Sequence, residues 1–298
     1  MSLFPRLLAK SESTHQNKEV FQITKQRLGA LQVALAAISW SFAGALSKSL
    51  PWNSFTINGI RSLVAAVLLA FARRGVKVKL TKGTLLGAAG TALTGVLYMI
   101  AVKLTTSANA IVLQYAMPVF VILFSWLLFG QRPAARHVII AAFIMAGVAL
   151  CSWDGLRGGN PLGDGLAILS AVTFAMVFFC ARIPGANPKD YSYLGMIFCA
   201  PFALCGLFDP GMSLNPAHWL IALGLGVCLA GGYFFISKSM SNVSPISAAL
   251  LANLEPILNP IWVFIFVGEQ PGVLTIVGAA IVLVTATVYS LLPAGEGD

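Results

Sequence analysis

Charge is what this sequence has least of. Among its 298 residues only 10% are Asp, Glu, Lys or Arg, against 58% hydrophobic. Soluble domains carry roughly 25% charged residues, so a water-soluble globular fold is excluded and the chain reads as an integral membrane protein. Acid is the scarcest of all: Glu255 is read as the one acidic residue inside an apolar run, with every aspartate assigned to a loop. Three histidines and five cysteines show no metal-ligand spacing, so no metal site is expected and the cysteines read as small packing residues. The phosphate loop GxxxxGK[ST], HExxH and GxSxG are all missing, as is a pair of intramembrane aspartates. These absences argue against an enzyme and against a bound cofactor. The polar first 27 residues hold no apolar core long enough for a signal peptide and are expected to remain as an uncleaved cytoplasmic tail.

What the sequence does hold is a succession of apolar runs. A span needs about 20 mostly apolar residues, and ten such runs fit, near 28–49, 53–73, 83–103, 106–130, 134–153, 162–181, 191–208, 216–237, 244–268 and 272–292. The net charge of +9 is dispersed between them, which suits topology better than a nucleic-acid partner. Fifteen Lys and Arg fall on one side, including Arg73, Arg74, Arg132, Arg182 and Lys238; Lys48, Lys103 and Arg157 fall on the other. The positive-inside rule then places both termini in the cytoplasm of a multi-pass protein.

The runs also repeat. Ser107 to Pro133 reads SANAIVLQYAMPVFVILFSWLLFGQRP, and the phrase returns from Ser244 to Pro271 as SPISAALLANLEPILNPIWVFIFVGEQP. Pro118, Gly130, Gln131 and Pro133 match Pro256, Gly268, Glu269 and Pro271 at a constant separation of 138. Gly87, Thr91 and Gly95 likewise recur as Gly224, Cys228 and Gly232. An internal duplication follows. Five spans per unit, an odd number, insert the two units in opposite senses, and inverted repeats of this kind mark secondary transporters with a midplane site between the halves. The expected architecture is all-α, with ten transmembrane helices as two inverted five-helix repeats: a tail over 1–27, repeats over 28–153 and 162–292, and a tail over 293–298.

Several residues carry candidate function. Pro118 and Pro256, with Pro260 one turn on, are expected to kink the fourth and ninth spans, freeing carbonyls that face protein or a wet cavity. Polar residues cluster at that depth: Gln114, Tyr115, Asn253 and Asn259. Arg61 lies nine residues into the second span, where charge is costly unless it faces protein or water; a substrate carboxylate, a gate and snorkelling to the surface are its alternatives. Glu255 either carries a coupling proton, pairs with Arg61 or satisfies the kink. Trp40, Tyr98, Tyr115 and Tyr233 lie inside spans and rank as cavity walls, because buried Trp and Tyr need partners for their polar atoms. Trp52, Trp153 and Trp219 read as interfacial belt residues. The Gly83, Gly87, Thr91, Gly95 and Gly224, Cys228, Gly232 ladders read as close helix packing.

Five-plus-five repeats, each with a proline followed by about eleven apolar residues and then G-[EQ]-x-P, resemble the drug/metabolite transporter superfamily in its EamA-type branch; Leu254-Glu255-Pro256 and Gly268-Glu269 fit its second-repeat pattern. The resemblance covers residues 28–292. Similarity to the bacterial aromatic amino-acid exporters within it implies export of Phe, Tyr, Trp and other apolar amino acids or small metabolites by alternating access. It further implies a cavity holding Trp40, Tyr98, Gln114, Tyr115, Tyr233 and Asn253, with Arg61 and Glu255 in gating or coupling. A proton-coupling acid in the first span, known from small multidrug members, is missing here. The expected partners are a small-molecule substrate and the lipid bilayer, in a monomer or homodimer. Rival readings are a multidrug or quaternary-ammonium exporter, a nucleotide-sugar-type carrier of the same fold, and a non-transporting membrane enzyme or scaffold.

Overall fold

The structure, a computed structural model, describes residues 24–43, 46–47, 49–105, 107–130, 132–151, 153, 160–267 and 272–291. The expected tails, Lys48, Gln131, Arg157 and the Gly268 to Pro271 end of the second motif lie outside them, apart from residues 24–27. Among the described residues the secondary structure is helical throughout, without strands. The helices are α1 (24–43), α2 (Ser54–Arg73), α3 (Lys82–Leu104), α4 (Ser107–Gln114), α5 (Met117–Phe129), α6 (Ala135–Cys151), α7 (Pro161–Phe179), α8 (Pro188–Cys199), α9 (Pro216–Ser239), α10 (Pro245–Ala252), α11 (Glu255–Val267) and α12 (Val273–Leu291). Among the described residues six helical segments are long and apolar enough to cross a membrane: Ser54–Arg73, Lys82–Leu104, Ala110–Leu128, Pro161–Arg182, Pro188–Phe208 and Pro216–Ser239. Shorter apolar helices run over Ala135–Leu150, Pro245–Leu258 and Ile276–Tyr289.

Local chemistry sets the ends of these helices. The side chains of Asn53, Thr81, Asn160, Asn187, Asn215 and Ser244 each accept a backbone N–H of the first turn of α2, α3, α7, α8, α9 and α10. Proline follows the cap in the last four of these helices, where its missing N–H is no loss. Gly130 closes α5 at φ 65°, which explains the glycine of the repeated motif: the residue after the helix must enter the left-handed region. Asp164, read as a loop residue, stands in the first turn of α7 and accepts from the Thr105 hydroxyl at 2.6 Å.

Two expectations take a different form. The seventh run does not stay α-helical: α8 ends at Cys199 and a 3-10 helix continues over Ala200–Phe208. Pro201 explains the change, since it cannot donate to Ile197 and its ring crowds that carbonyl. The fourth and ninth runs are interrupted rather than kinked. Tyr115 and Ala116 form a turn between α4 and α5, as Asn253 and Leu254 do between α10 and α11, and Pro118 and Pro256 are each the second residue of the helix that restarts. Helix α11 runs on through Pro260, whose side chain is outside the described residues.

Packing brings sequence-distant helices together. Helix α3 lies against α7 and α8, α2 against α8 and α9, and α6 against α12. At one end of α2, Arg73 pairs with Asp190 of α8 and covers the Tyr193 ring at 4.7 Å. At its other end the Asn53 N–H donates to Asp209, just beyond the 3-10 helix, at 2.7 Å. Helices α2 and α8 therefore run antiparallel, with a polar link at each end. The main core gathers Trp40, Tyr115, Phe174, Phe178, Tyr191 and Tyr233, whereas Phe71, Leu127, Leu128, Leu214 and Leu220 face outward. Apolar residues on the outside as well as the inside are what a lipid-embedded bundle requires.

Candidate functional site

Glycines let the walls of an internal cavity close up. A Cβ on Gly232 of α9 would lie 2.0 Å from Nε1 of Trp40, so the indole sits against bare backbone. Trp40 then meets Tyr233 edge-on at 5.3 Å and Phe174 at 5.6 Å, an aromatic corner joining α1, α7 and α9. Gly87 and Gly195 receive Tyr191 and Thr91 in the same way. A Cβ on Gly224 would meet no atom of the described residues within 4 Å.

The cavity between these walls measures about 60 Å³ and is lined from both halves of the chain. It brings together four of the six expected substrate contacts, Trp40, Tyr98, Gln114 and Tyr233, and adds Arg61 and Glu255. Tyr115 and Asn253 stand behind the wall, 1% and 0% exposed. Asn253 donates to the Ala249 carbonyl across one turn, at 3.0 Å, so it satisfies the interrupted helix. The volume decides one point. Small-molecule pockets run to about 300–1,000 Å³, so loading a substrate requires the walls to move apart.

Arg61 is buried, 5% exposed, and does not snorkel. Its Nε and Nη2 converge on Oδ1 of Asn58, one turn earlier, at 3.2 and 2.9 Å. Glu255 is the first residue of α11, where the helix dipole favours a carboxylate. It accepts the Tyr115 hydroxyl, joining the interruption in one half of the chain to the interruption in the other. Of the alternatives for Glu255, the ion pair with Arg61 is not formed: the two face the same cavity with separate hydrogen-bond partners.

Sequence reasoning missed Asn58, Ser62, Thr94, Phe174, Met196 and Cys199 in this lining, and took Thr91 for a helix-packing or sliding face rather than a cavity wall. For Asn58 a signal was present, because a polar residue three before Arg61 shares its helix face. Trp52 is corrected outright. It is 1% exposed and packs edge-on against Trp219 and His218 in a second core cluster rather than in an interfacial belt. Among the described residues no cluster of His, Cys, Asp or Glu is arranged to hold a metal.

An interrupted span in each half of the chain, meeting at a buried mixed-charge cavity, is the arrangement of a solute carrier. The profile of the EamA-like transporter family matches residues 27–153 and again 161–291. The chain belongs to the EamA-like transporter family. Among curated proteins it is 26% identical over 278 residues to the pseudopaline exporter CntI of Pseudomonas aeruginosa, covering 88% of this chain and 95% of that protein. It is also 27% identical over 211 residues to an uncharacterized transporter of Archaeoglobus fulgidus, covering 67% and 72%. A solved crystal structure superimposes with a TM-score of 0.74 at 20% identity, over 89% of this chain and 97% of that one, and so shares the fold. This family member is a membrane transporter and not an enzyme.

Proposed function

We propose that this EamA-family protein is a ten-span carrier of the bacterial inner membrane, with both termini cytoplasmic, that exports aromatic or other apolar amino acids and small metabolites by alternating access. The observation that carries the reading is the cavity between the two halves, with an aromatic corner at Trp40 and Tyr233 and two ionisable side chains, Arg61 and Glu255, in its lining. Two inverted repeats are supported by the double match of the family profile. They are also supported by the packing: exchanging the halves turns the α2–α9 contact into the α8–α3 contact. A relative that exports pseudopaline supports outward movement of a small metabolite.

In this reading Trp40, Tyr98 and Tyr233 hold the apolar part of the substrate and Gln114 its polar part. Tyr115 and Asn253 keep the interrupted helices in place behind them. Arg61 and Glu255 serve gating or coupling, and the Tyr115–Glu255 bond is the contact that shifts as the halves rock. The links at the two ends of α2 open in turn.

Purified protein in liposomes, offered a labelled amino-acid panel with and without a pH gradient, tests this. Uptake of aromatic amino acids supports it. A quaternary-ammonium exporter is the second reading, favoured by the aromatic corner beside Glu255, since cations bind aromatic faces. Choline-like cations moving while amino acids do not would establish that alternative, and transport of neither class would overturn both substrate readings. Impermeant thiol labels on cysteines introduced at Gln131 and Gln270 are expected to react from opposite faces; reaction from one face would rule out inversion.

A further inference from the structure

Asn58 and Arg61 form a more specific arrangement than a gate needs. Both line the cavity and both are buried, 1% and 5% exposed. The Asn58 carbonyl takes two donors from the Nε–Nη2 edge of the guanidinium, which fixes its plane. Among the described residues the guanidinium bonds Asn58 through Nε and Nη2, and the buried Nδ2 amide of Asn58 lies beside the Cys199 thiol without a well-formed hydrogen bond. Gly95 makes the fit possible: a Cβ there would stand 3.1 Å from Asn58 Oδ1 and 3.7 Å from Arg61 Nη2. Glu255, the other charged side chain in the lining, is engaged by Tyr115 and forms no ion pair with Arg61.

A guanidinium held on one edge presents its other edge as a planar fork, the geometry that matches a carboxylate. Buried charge is stabilised only by a well-placed counter-charge, and Coulomb attraction is several-fold stronger here than in water. A ligand without an acceptor also leaves the Asn58 amide unpaired, which is the basis on which a polar site rejects an analogue. We propose that Arg61 and Asn58 are the subsite for a carboxylate of the transported molecule, with its apolar portion against Trp40, Phe174 and Tyr233. The substrate class is then an amphipathic organic acid, zwitterionic amino acids included, and not an organic cation. This rests on the reading of the cavity as the substrate site, and it reassigns Arg61 from gating or coupling to substrate contact, with Gln114 left to the substrate's other polar groups.

The test is binding to the purified full-length protein in detergent, by titration calorimetry, with two probes that differ at one end: 3-phenylpropionate, which has a carboxylate and no amine, and phenethylamine, the reverse. The acid is expected to bind at least ~10-fold more tightly, the discrimination a hydrogen-bonded polar subsite readily exceeds. Arg61→Met should erase that preference and Arg61→Lys should retain part of it. Asn58→Asp sets a carboxylate of the protein's own on the guanidinium and should abolish acid binding while the protein remains monodisperse, so the test survives if Arg61→Met does not fold. Equal or tighter binding of the amine, a preference that persists in Arg61→Met or Asn58→Asp, or binding of neither probe overturns the proposal. Failure of the broader reading looks different: the acid binds with these dependences, yet liposomes accumulate no amino acid.

Discussion

Gly224 and Gly232 occupy the same helix, two turns apart, and the same small-residue ladder, yet their surroundings differ completely. An Ala Cβ at 232 meets the indole of Trp40 at 2.0, 2.3 and 2.4 Å, and at 224 it meets nothing within 4 Å. Ordinary contacts begin near 3.4 Å, so the ring must retreat by about 1.4 Å. It is already braced by Tyr233 and Phe174. Overpacking of this kind costs about 1–3 kcal/mol. The gain in helix propensity, about 1 kcal/mol for Gly to Ala, is common to both sites on α9 and cancels in the comparison. Gly232→Ala should therefore be about 1–3 kcal/mol less stable than Gly224→Ala, which itself should match or slightly exceed the unmodified protein. Thermal unfolding in detergent reads this as several degrees between the variants. Replacing Trp40 with Leu should remove most of the Gly232→Ala penalty, because the two sites are coupled through one contact. Equal melting temperatures for the two alanine variants, or an undiminished penalty in the Trp40→Leu background, would refute the packing described for the aromatic corner.

Tyr115→Phe removes the hydroxyl that Glu255 accepts; loss of a hydrogen bond to a charged group costs about 1.5–3 kcal/mol, and solute counterflow should slow by more than 10-fold while Tyr98→Phe, a control without that bond, slows less. Asp190→Asn leaves Arg73 without its ionic partner in a site where both side chains are only 10% exposed, so that end of α2 should open more often, read as faster alkylation of a cysteine introduced at Ser237. At the other end, burial would raise the carboxyl of Asp209, but the N–H groups of Asn53 and Gly211 hold it below the usual carboxylate range. A depressed carboxylate lends stability above its unfolded value and loses it as pH falls through the folded one, so unfolding between pH 7 and pH 3 should show a loss that Asp209→Asn abolishes.

Membrane class and the duplicated phrase were legible because they depend on composition and on residues with rigid backbone consequences. Gly130 marks a left-handed helix end wherever it occurs, and a proline removes a hydrogen bond in any context. What those prolines do next was not legible. Pro118 could bend a continuous helix or begin a new one, and the turn at Tyr115 and Ala116 depends on what the freed groups meet across the interface. The site divides in the same way. Trp40, Tyr98 and Tyr233 stood out as costly aromatic polar groups inside apolar runs, and Arg61 as costly charge. Thr91, Thr94 and Cys199 are indistinguishable in sequence from packing residues, and only the approach of α3 to α7 and α8 turns them toward the cavity. Trp52 was misread because a tryptophan at the end of a run serves equally as a belt residue or as the plug of a small core.

In the proposed carrier, one cavity is exposed to each side of the membrane in turn. Cys199 already lines it, so a protein retaining Cys199 with Cys151, Cys180, Cys205 and Cys228 replaced by Ala reports on it directly. In sealed vesicles of known orientation, a small impermeant methanethiosulfonate should modify Cys199 from either face, and a transported amino acid should slow both reactions. Modification from one face alone, or from both without protection by any transported solute, would contradict the account.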